Sequence, residues 1–469
     1  MNRPAIVLVA ALSGCASVLP ESRISSDVSR APSETWKGPL PPPLPAPDPA
    51  LLSQLPKAGT PVTLRQLVSF ALRNSPQTRS TWLSARAAAA GVVSRRSAYY
   101  PQIDGQVQLG YAHTTLGQGL TFAQTTLTPG ATLNYLLFDL GGRSADIGEA
   151  EALLEAANLT HNVAIQDLVL RVEQAYYQYL SAKALVAADR ETLRNAEAAY
   201  RAAEERHNAG VATIADVLQA KTQLSQAKLA LQQSEGQVAT ARGSLATALG
   251  VPANLPVDVG ELPEDLSLRP IGDAVEKLIE QAQALRPELA RARAQVLAAG
   301  NRQSSIRSRG LPSLVLGGTA ARNYFLESCC AHGDTYSAAL TLRIPIFNGF
   351  RDSADLLQAR EQARAAEADA QSVEQQIILQ VWSSYQAVKT AELRVGTSRD
   401  LLASAQASEE VAQGRYKAGV GSILDLLTAQ AALANARAQE VQARADWLVS
   451  VATLSHDTGA LALPPEGTP

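Results

Sequence analysis

The sequence predicts a mainly α fold combined with a membrane β-barrel, built from two copies of a helix–strand–strand–long helix–helix unit. Three observations predict this fold class. A short motif occurs twice, as RHNAGVATIADVL at residues 206–218 and as RYKAGVGSILDLL at residues 415–427. Two long segments, residues 141–208 and 350–417, contain no proline. Four shorter segments alternate apolar and polar residues with the period of a β-strand.

The duplication extends over almost the whole chain. Sequence echoes such as Tyr100-Pro101 with Leu311-Pro312, and Phe138-Asp139 with Phe347-Asn348, recur about 210 positions apart. A period of this length indicates a duplicated domain and not a short solenoid repeat. We therefore expect a first repeat at residues 61–250 and a second at 273–459. A linker at 251–272 separates them, and a tail at 460–469 follows.

Each repeat has the same predicted order of elements. A helix of about 25 residues follows Pro76 or Pro287, since proline is well tolerated in the first helical turn. Two strands come next, at residues 102–113 and 126–138 in the first repeat, and at 313–325 and 335–347 in the second. Their length suits tilted strands that cross a membrane.

The repeated motif is predicted to be a tight turn between two helices. Gly210 and Gly419 follow the proline-free segments, at the position where a helix ends in left-handed geometry. Thr213 and Ser422, each followed three residues later by an aspartate, predict capping boxes that begin the returning helices. These hairpin tips are expected at 206–216 and 415–425. A heptad pattern on the returning helices favours coiled-coil packing along the long helices.

The N-terminus has the features of a bacterial export signal. Asn2 and Arg3 precede an apolar run at residues 5–12, which is too short to span a bilayer. Leu12-Ser13-Gly14-Cys15 resembles a lipobox, so residues 1–14 are expected to be removed and Cys15 to carry a diacylglycerol and an acyl chain. The alternative is an ordinary signal that ends near residue 17. The proline-rich residues 15–60 are predicted to form a stiff strap, or alternatively a proline-rich partner ligand.

The composition argues against several other functions. The chain has 469 residues, of which 46% are hydrophobic, and a net charge of −3, so it offers no basic surface for nucleic acid. Its five histidines have no metal-ligand spacing, and phosphate-loop and nucleophile motifs are missing from the sequence. We expect neither an enzyme nor a metal or cofactor site. Cys329 and Cys330 are adjacent and are either a strained disulfide or two free thiols.

Four strands cannot close a barrel, and an open strand edge within lipid is prohibitively unfavourable. Three copies of the chain would supply twelve strands. With these features the sequence resembles the TolC-type outer-membrane efflux channels, in their lipoprotein branch. The resemblance rests on the duplication, the Pro101 and Pro312 strand entries, the two strand exits and, above all, the paired tip motifs.

The resemblance implies a homotrimer with a 12-stranded β-barrel in the outer membrane and an α-helical periplasmic tunnel. It also implies two partners, a periplasmic membrane-fusion adaptor and an inner-membrane efflux pump of the RND type. The tip residues expected to contact the adaptor are Ala209, Gly210, Val211, Ala418, Gly419 and Val420. Those expected to constrict the entrance are Asp425, Tyr416 and Asp216. Thr428 and Gly421 depart from the family pattern, which puts a second acidic ring and the usual basic lock in doubt.

Two alternatives remain from the sequence. One is a type I protein-secretion exit duct with the same fold, and the other is a periplasmic coiled-coil scaffold lipoprotein without a pore. The duplicated amphipathic strands favour a channel over the scaffold. The sequence does not identify the exported substrate.

Overall fold

The structure is a computed structural model that describes Ser33, Thr35 and residues 62–116, 120–263, 274–326 and 332–460. The chain divides into two compact units, residues 1–52 and 53–469. Ser33 and Thr35 are the described residues of the first unit, and everything below concerns the second. The predictions for Cys15, for Cys329 and Cys330 and for most of the proline-rich strap fall outside the described residues.

The described elements follow the same order in both repeats. In the first repeat they are α1 Leu64–Asn74, α2 Pro76–Arg96, a 3₁₀ turn Ser97–Tyr99, β1 Gln102–Leu116, β2 Leu120–Phe138, α3 Gly142–Asn208 and α4 Ile214–Ala248. In the second they are α5 Val275–Leu285, α6 Pro287–Arg309, β3 Ser313–Phe325, β4 His332–Arg343, α7 Arg351–Lys417 and α8 Ile423–Asp457.

The two long helices, α3 and α7, each contain 67 residues. At 1.5 Å per residue, each extends about 100 Å. Along α3 pack both the shorter helix α2 and the returning helix α4, and along α7 pack α6 and α8. This is the predicted arrangement of two short helices beside one long helix. Many of the buried residues are Ala and Val, whose small side chains allow close approach of the helices.

Helices α1 and α5 are not among the predicted elements. Both are amphipathic: α1 buries Leu64, Leu67, Val68 and Ala71, and α5 buries Val275, Leu278 and Ala282. Each ends immediately before the residue that precedes a proline, because that residue is disfavoured in helical geometry. The i, i+3, i+4 spacing of their apolar residues indicates a helix, but the predicted helices began only at Pro76 and Pro287.

The strands form one antiparallel sheet in the order β1-β2-β3-β4, so β1 and β4 are its edges. The first hairpin is longer than predicted, since β1 continues to Leu116 and β2 begins at Leu120 and not at 126. Residues 114–116 and 120–125, which lie between the two predicted strands and include several threonines, pair across this hairpin. Threonine is favourable in β-strands, and pairing of the two strands provides hydrogen-bond partners for the backbone of these residues.

Strand β4 spans His332–Arg343, whereas residues 335–347 were predicted. The early start resembles the extension of β2. The early end has a different cause: Arg343 pairs with Ser313, the first residue of β3, so residues 344–347 have no neighbouring strand within the described chain. None of the helices that the structure describes is long and apolar enough to cross a membrane.

Candidate functional site

The two helix hairpins turn through left-handed glycines, as the motif predicted. Gly210 has φ of 75° and Gly419 has φ of 77°. The Val211 N–H donates to the Arg206 carbonyl at 2.9 Å, and the Val420 N–H donates to the Arg415 carbonyl at 3.0 Å. These bonds satisfy carbonyls that the ends of α3 and α7 leave unpaired. A residue with a Cβ would be strained at either glycine.

The helices that return from the two tips begin differently. Thr213 Oγ1 accepts a hydrogen bond from the Asp216 N–H, and the Asp216 carboxylate accepts one from the Thr213 N–H, which forms a complete capping box. In the second repeat Ser422 Oγ accepts from the Asp425 N–H at 3.1 Å, but the reciprocal bond is not formed. The prediction of two capping boxes is therefore correct for the first tip only. Within the described chain, the Asp425 carboxylate is exposed and has no hydrogen-bond partner.

Six predicted contact residues lie at the surface of the two turns. They are Ala209, Gly210, Val211, Ala418, Gly419 and Val420, and all are exposed. The two valines present apolar side chains to solvent, with 66% of Val211 and 69% of Val420 exposed. Each turn is therefore a small, partly apolar surface that an incoming helix could approach closely.

The two hairpins pack against each other near their tips. Tyr416 is only 6% exposed and belongs to a cluster with Ala199 and Ala203 of α3, Ala220 of α4, and Ile423, Leu426 and Leu427 of α8. The Arg206 guanidinium lies 4.6 Å from the centre of the Tyr416 ring and donates a hydrogen bond to the Tyr416 carbonyl oxygen. These contacts join the end of α3 to the end of α7.

Burial raises the pKa of the Tyr416 hydroxyl; the nearby Arg206 charge lowers it, and the Asp216 charge raises it further. The hydroxyl is buried without a hydrogen-bond partner among the described residues. The structure thus places Tyr416 between the hairpins, Asp216 in a capping box and Asp425 at the surface. All three lie at the same end of the helices, but they form no common cluster of side chains in one chain.

Arg206 is the tip residue to which the sequence analysis assigned no role. It stands at the start of the repeated motif, where Arg415 is its equivalent. The recurrence of this arginine indicated that it matters, but its contact with Tyr416 depends on the packing of α3 against α7 and α8. The contact with Tyr416 spans 210 positions of the chain, and no local pattern indicates it.

The sheet is the second candidate site, because its register separates apolar from polar residues. One face carries mainly large apolar side chains: Ile103, Val107, Leu109, Tyr111, Leu127, Leu133, Tyr135, Leu314, Leu316, Tyr324, Tyr336, Leu340 and Leu342. The other carries mainly polar ones, among them Gln102, Asp104, Gln106, Gln108, Thr128, Thr132, Asn134, Asn323, Thr341 and Arg343. Apolar residues on the edge strands are strongly exposed, with Val107 at 73% and Tyr336 at 77%.

The end of the apolar face near Phe325 and His332 is more polar. Arg322 and Asp334 form a bidentate salt bridge there, beside Tyr324 and His332. An apolar band bordered by aromatic and charged side chains is typical of a surface in contact with lipid. A duplicated chain that joins such a sheet to helices about 100 Å long has the architecture of an outer-membrane channel subunit.

Comparison with known proteins identifies the family. The chain belongs to the outer membrane efflux protein family, whose profile matches residues 67–251 and 278–460. It is 29% identical to protein CyaE of Bordetella pertussis over 81% of this chain and 80% of that protein. It is 27% identical to the outer membrane efflux protein BepC of Brucella suis over 85% of this chain and 86% of that one.

Solved structures show the same fold. The outer-membrane channel OprN superimposes with a TM-score of 0.78 at 20% identity, covering 90% of this chain and 98% of that chain. The predicted family, fold class and efflux function are therefore confirmed, as is the outer-membrane location. The family consists of efflux channels and not of enzymes. Among the described residues there is no group of three His, Cys, Asp or Glu side chains that could hold a metal ion.

Proposed function

We propose that this chain is the outer-membrane subunit of a tripartite efflux system. Three copies form a passive conduit that receives its cargo from an inner-membrane pump, of the RND type, through a periplasmic adaptor. The observation that carries this proposal is the four-stranded sheet with one exposed apolar face and two unpaired edge strands. If three sheets closed a 12-stranded barrel in lipid, the backbone groups of the edge strands would be hydrogen-bonded and the apolar side chains would contact lipid instead of water. The conduit performs no chemical step.

The helix tips are the proposed contact with the adaptor. Ala209, Gly210 and Val211, with Ala418, Gly419 and Val420 of the second repeat, offer small exposed residues and two exposed valines. Small side chains allow helix backbones to approach closely, and the valines add apolar surface at the contact. The two tips carry nearly the same motif, so one adaptor hairpin could contact either of them.

Opening is proposed to occur at the same tips. The stacking of Arg206 on Tyr416 and the hydrogen bond between them hold the first hairpin to the second. Movement of one hairpin away from the other would break this contact and expose the Tyr416 cluster. Asp425, whose carboxylate is exposed, is the proposed entrance residue that faces the cargo, together with Asp216. Tyr416 contributes by joining the hairpins.

The mature chain is proposed to carry lipid on Cys15, which anchors its N-terminus to the outer membrane while the helices extend into the periplasm. Leu12-Ser13-Gly14-Cys15 supports this proposal. Two or more fatty chains on one residue are sufficient for stable anchoring.

The proposal is tested by the native mass of the mature protein extracted from outer membranes in detergent. We expect a trimer, an intact mass that includes lipid on Cys15, and ion conductance after insertion into planar bilayers. A Cys15→Ala variant is the control and is expected to lose the lipid mass while remaining a trimer. A monomer that is released without detergent would instead support the periplasmic scaffold.

The adaptor contact has its own test. A photo-crosslinking residue is placed at Val420, and a matched one at Leu229, which is similarly exposed on α4 away from the turns. We expect crosslinks from Val420 to a periplasmic adaptor in intact cells and none from Leu229. Equal labelling from both positions would contradict a contact confined to the tips.

A further inference from the structure

The end of β2 shows what the end of β4 is missing. The hairpin β1–β2 begins with the pair Gln102–Asn134, so β1 supports nothing beyond Asn134. Strand β2 nevertheless continues to Phe138, because its last residues pair with β3 through Tyr135–Leu316, Leu136–Val315 and Phe138–Leu314. The outer end of β2 therefore exists as a strand only because β3 lies beside it.

The two hairpins have the same register. Counting from the equivalent prolines Pro101 and Pro312, the pair Gln102–Asn134 of the first repeat corresponds to Ser313–Arg343 of the second. Residues 344–347 are thus the equivalents of 135–138. In one chain they have no strand beside them, and their apolar side chains are highly exposed: Ile344 55%, Ile346 94% and Phe347 74%.

We propose that β1 of a neighbouring copy pairs with β4 in the register with which β3 pairs with β2, and that Arg343 forms an ion pair with Asp104 of that copy across the seam. The proposal rests on the trimer of the proposed function and adds how its copies join. Asn134 pairs with Gly317 within the chain, and their equivalents are Arg343 and Gln106. Arg343 therefore lies opposite Gln106 of the neighbour, and Leu340 lies opposite Leu109.

This register continues the two faces of the sheet from one copy to the next. Leu340 and Leu342 meet Leu109 and Val107 of the neighbour, and all four belong to the apolar face. A shift by one residue would place these leucines opposite polar-face residues of β1, either Gln106 and Gln108 or Gln108 and Gly110, since side chains alternate between faces. The neighbour would also give residues 344–347 the partner that β3 gives to 135–138, so that β4 extends towards Phe347.

The ion pair follows from the charges of the polar face, which among the described residues lie only on the two edge strands. Arg343 and Asp104 both belong to the polar face, and in this register Asp104 is the diagonal neighbour of Arg343. Diagonal side chains about 7–8 Å apart are within reach when one of them is long. Both residues are exposed and have no ion-pair partner among the described residues. At the internal β2–β3 pairing their equivalents are the uncharged Asn134 and Val315.

Engineered disulfides test the register. In a background with Cys329→Ser and Cys330→Ser, Leu340→Cys is combined with Leu109→Cys, and in matched controls with Val107→Cys or Tyr111→Cys, which correspond to shifts by two residues. We expect mainly covalent trimers on non-reducing gels from the Leu109 combination and mainly monomers from the controls. Stronger crosslinking in a control, or none in any combination of a protein that remains trimeric by native mass, overturns the register. A monomeric native mass would count instead against the proposed function.

Charge reversal tests the ion pair. Arg343→Asp and Asp104→Arg are each expected to lower the temperature at which half of the trimers dissociate in detergent, and the double variant is expected to recover most of that loss. The control exchanges Arg322 and Asp334, which form an ion pair within one chain, and is expected to leave the dissociation temperature unchanged. A double variant that dissociates as early as the two losses combined would show that the seam contains no such pair.

Discussion

Replacing Arg286 should reveal how strongly one buried ion pair holds the second repeat together. Arg286 is only 4% exposed and lies at the junction of α5 and α6, directly before Pro287. Its guanidinium donates two hydrogen bonds to the Glu288 carboxylate and one to Gln380 Oε1 of α7 at 2.5 Å. Asp457, at the end of α8, lies 3.9 Å from it. One side chain therefore links three helices.

Arg286→Met keeps most of the aliphatic volume but removes the positive charge. Glu288 and Asp457 would then remain largely buried, with their side chains 15% and 12% exposed, and would have lost their shared cation. Breaking a buried ion pair by removing one partner costs about 3–5 kcal/mol. We expect about 3 kcal/mol, near the lower limit, because His456 still contacts Asp457.

The measurement is urea unfolding of the detergent-extracted protein at a fixed concentration, followed by the helical circular dichroism signal. The matched control is Arg364→Met, because Arg364 pairs with Glu361 on the surface of α7, where the two side chains are 66% and 54% exposed. Exposed pairs of this kind contribute about 0.5 kcal/mol or less. A loss below about 1 kcal/mol for Arg286→Met, or one equal to that of the control, would refute the reasoning.

Three further predictions concern pH, helix packing and the tips. Burial disfavours the charge of His456, but hydrogen bonds to Asp167 and Asp457 outweigh this and raise its pKa to about 9. His456→Gln should therefore lower the unfolding midpoint in urea more at pH 6 than at pH 10. The stabilisation by protonated His456 is complete below about pH 6.5 and is lost as the pH rises through about 9. An equal loss at both pH values would contradict a raised pKa of His456. Gly142→Ala should lower the free energy of unfolding by about 1–3 kcal/mol in the same assay, because the new Cβ would lie 2.7 Å from Ser308 Oγ. Its control is Gly91→Ala, in open space on α2, which should raise the free energy of unfolding by about 0.5–1 kcal/mol. Two effects of the same sign would be inconsistent with this packing. Tyr416→Phe should raise the free energy of unfolding by about 1 kcal/mol, because it removes a buried hydroxyl without a hydrogen-bond partner in the described chain. A decrease of about 1 kcal/mol would instead indicate that the hydroxyl forms a hydrogen bond that one chain does not contain.

Much of the fold was predictable because its signals are local. The proline-free segments, the two glycines of the repeated motif and the alternation within the strands each depend on a few neighbouring residues. The observed helix Gly142–Asn208 therefore lies within a residue of the proline-free segment 141–208, and α6 begins at Pro287 as predicted. The duplication provided a second copy of each signal, so that weak patterns in one repeat were supported by the other.

The sequence alone thus determined the order of the elements from α2 to α4 and from α6 to α8, the position of both tips and the separation of apolar from polar residues along each strand. Only the tertiary structure decided which strands are neighbours, where β4 ends and how Arg206 meets Tyr416. These features depend on residues far apart in the chain, such as Arg206 and Tyr416 at 210 positions, or on a partner strand that one chain does not contain. The physical reason is that a strand or a stacked cation needs its partner in space, whereas a turn or a helix cap is satisfied by residues three to five positions away.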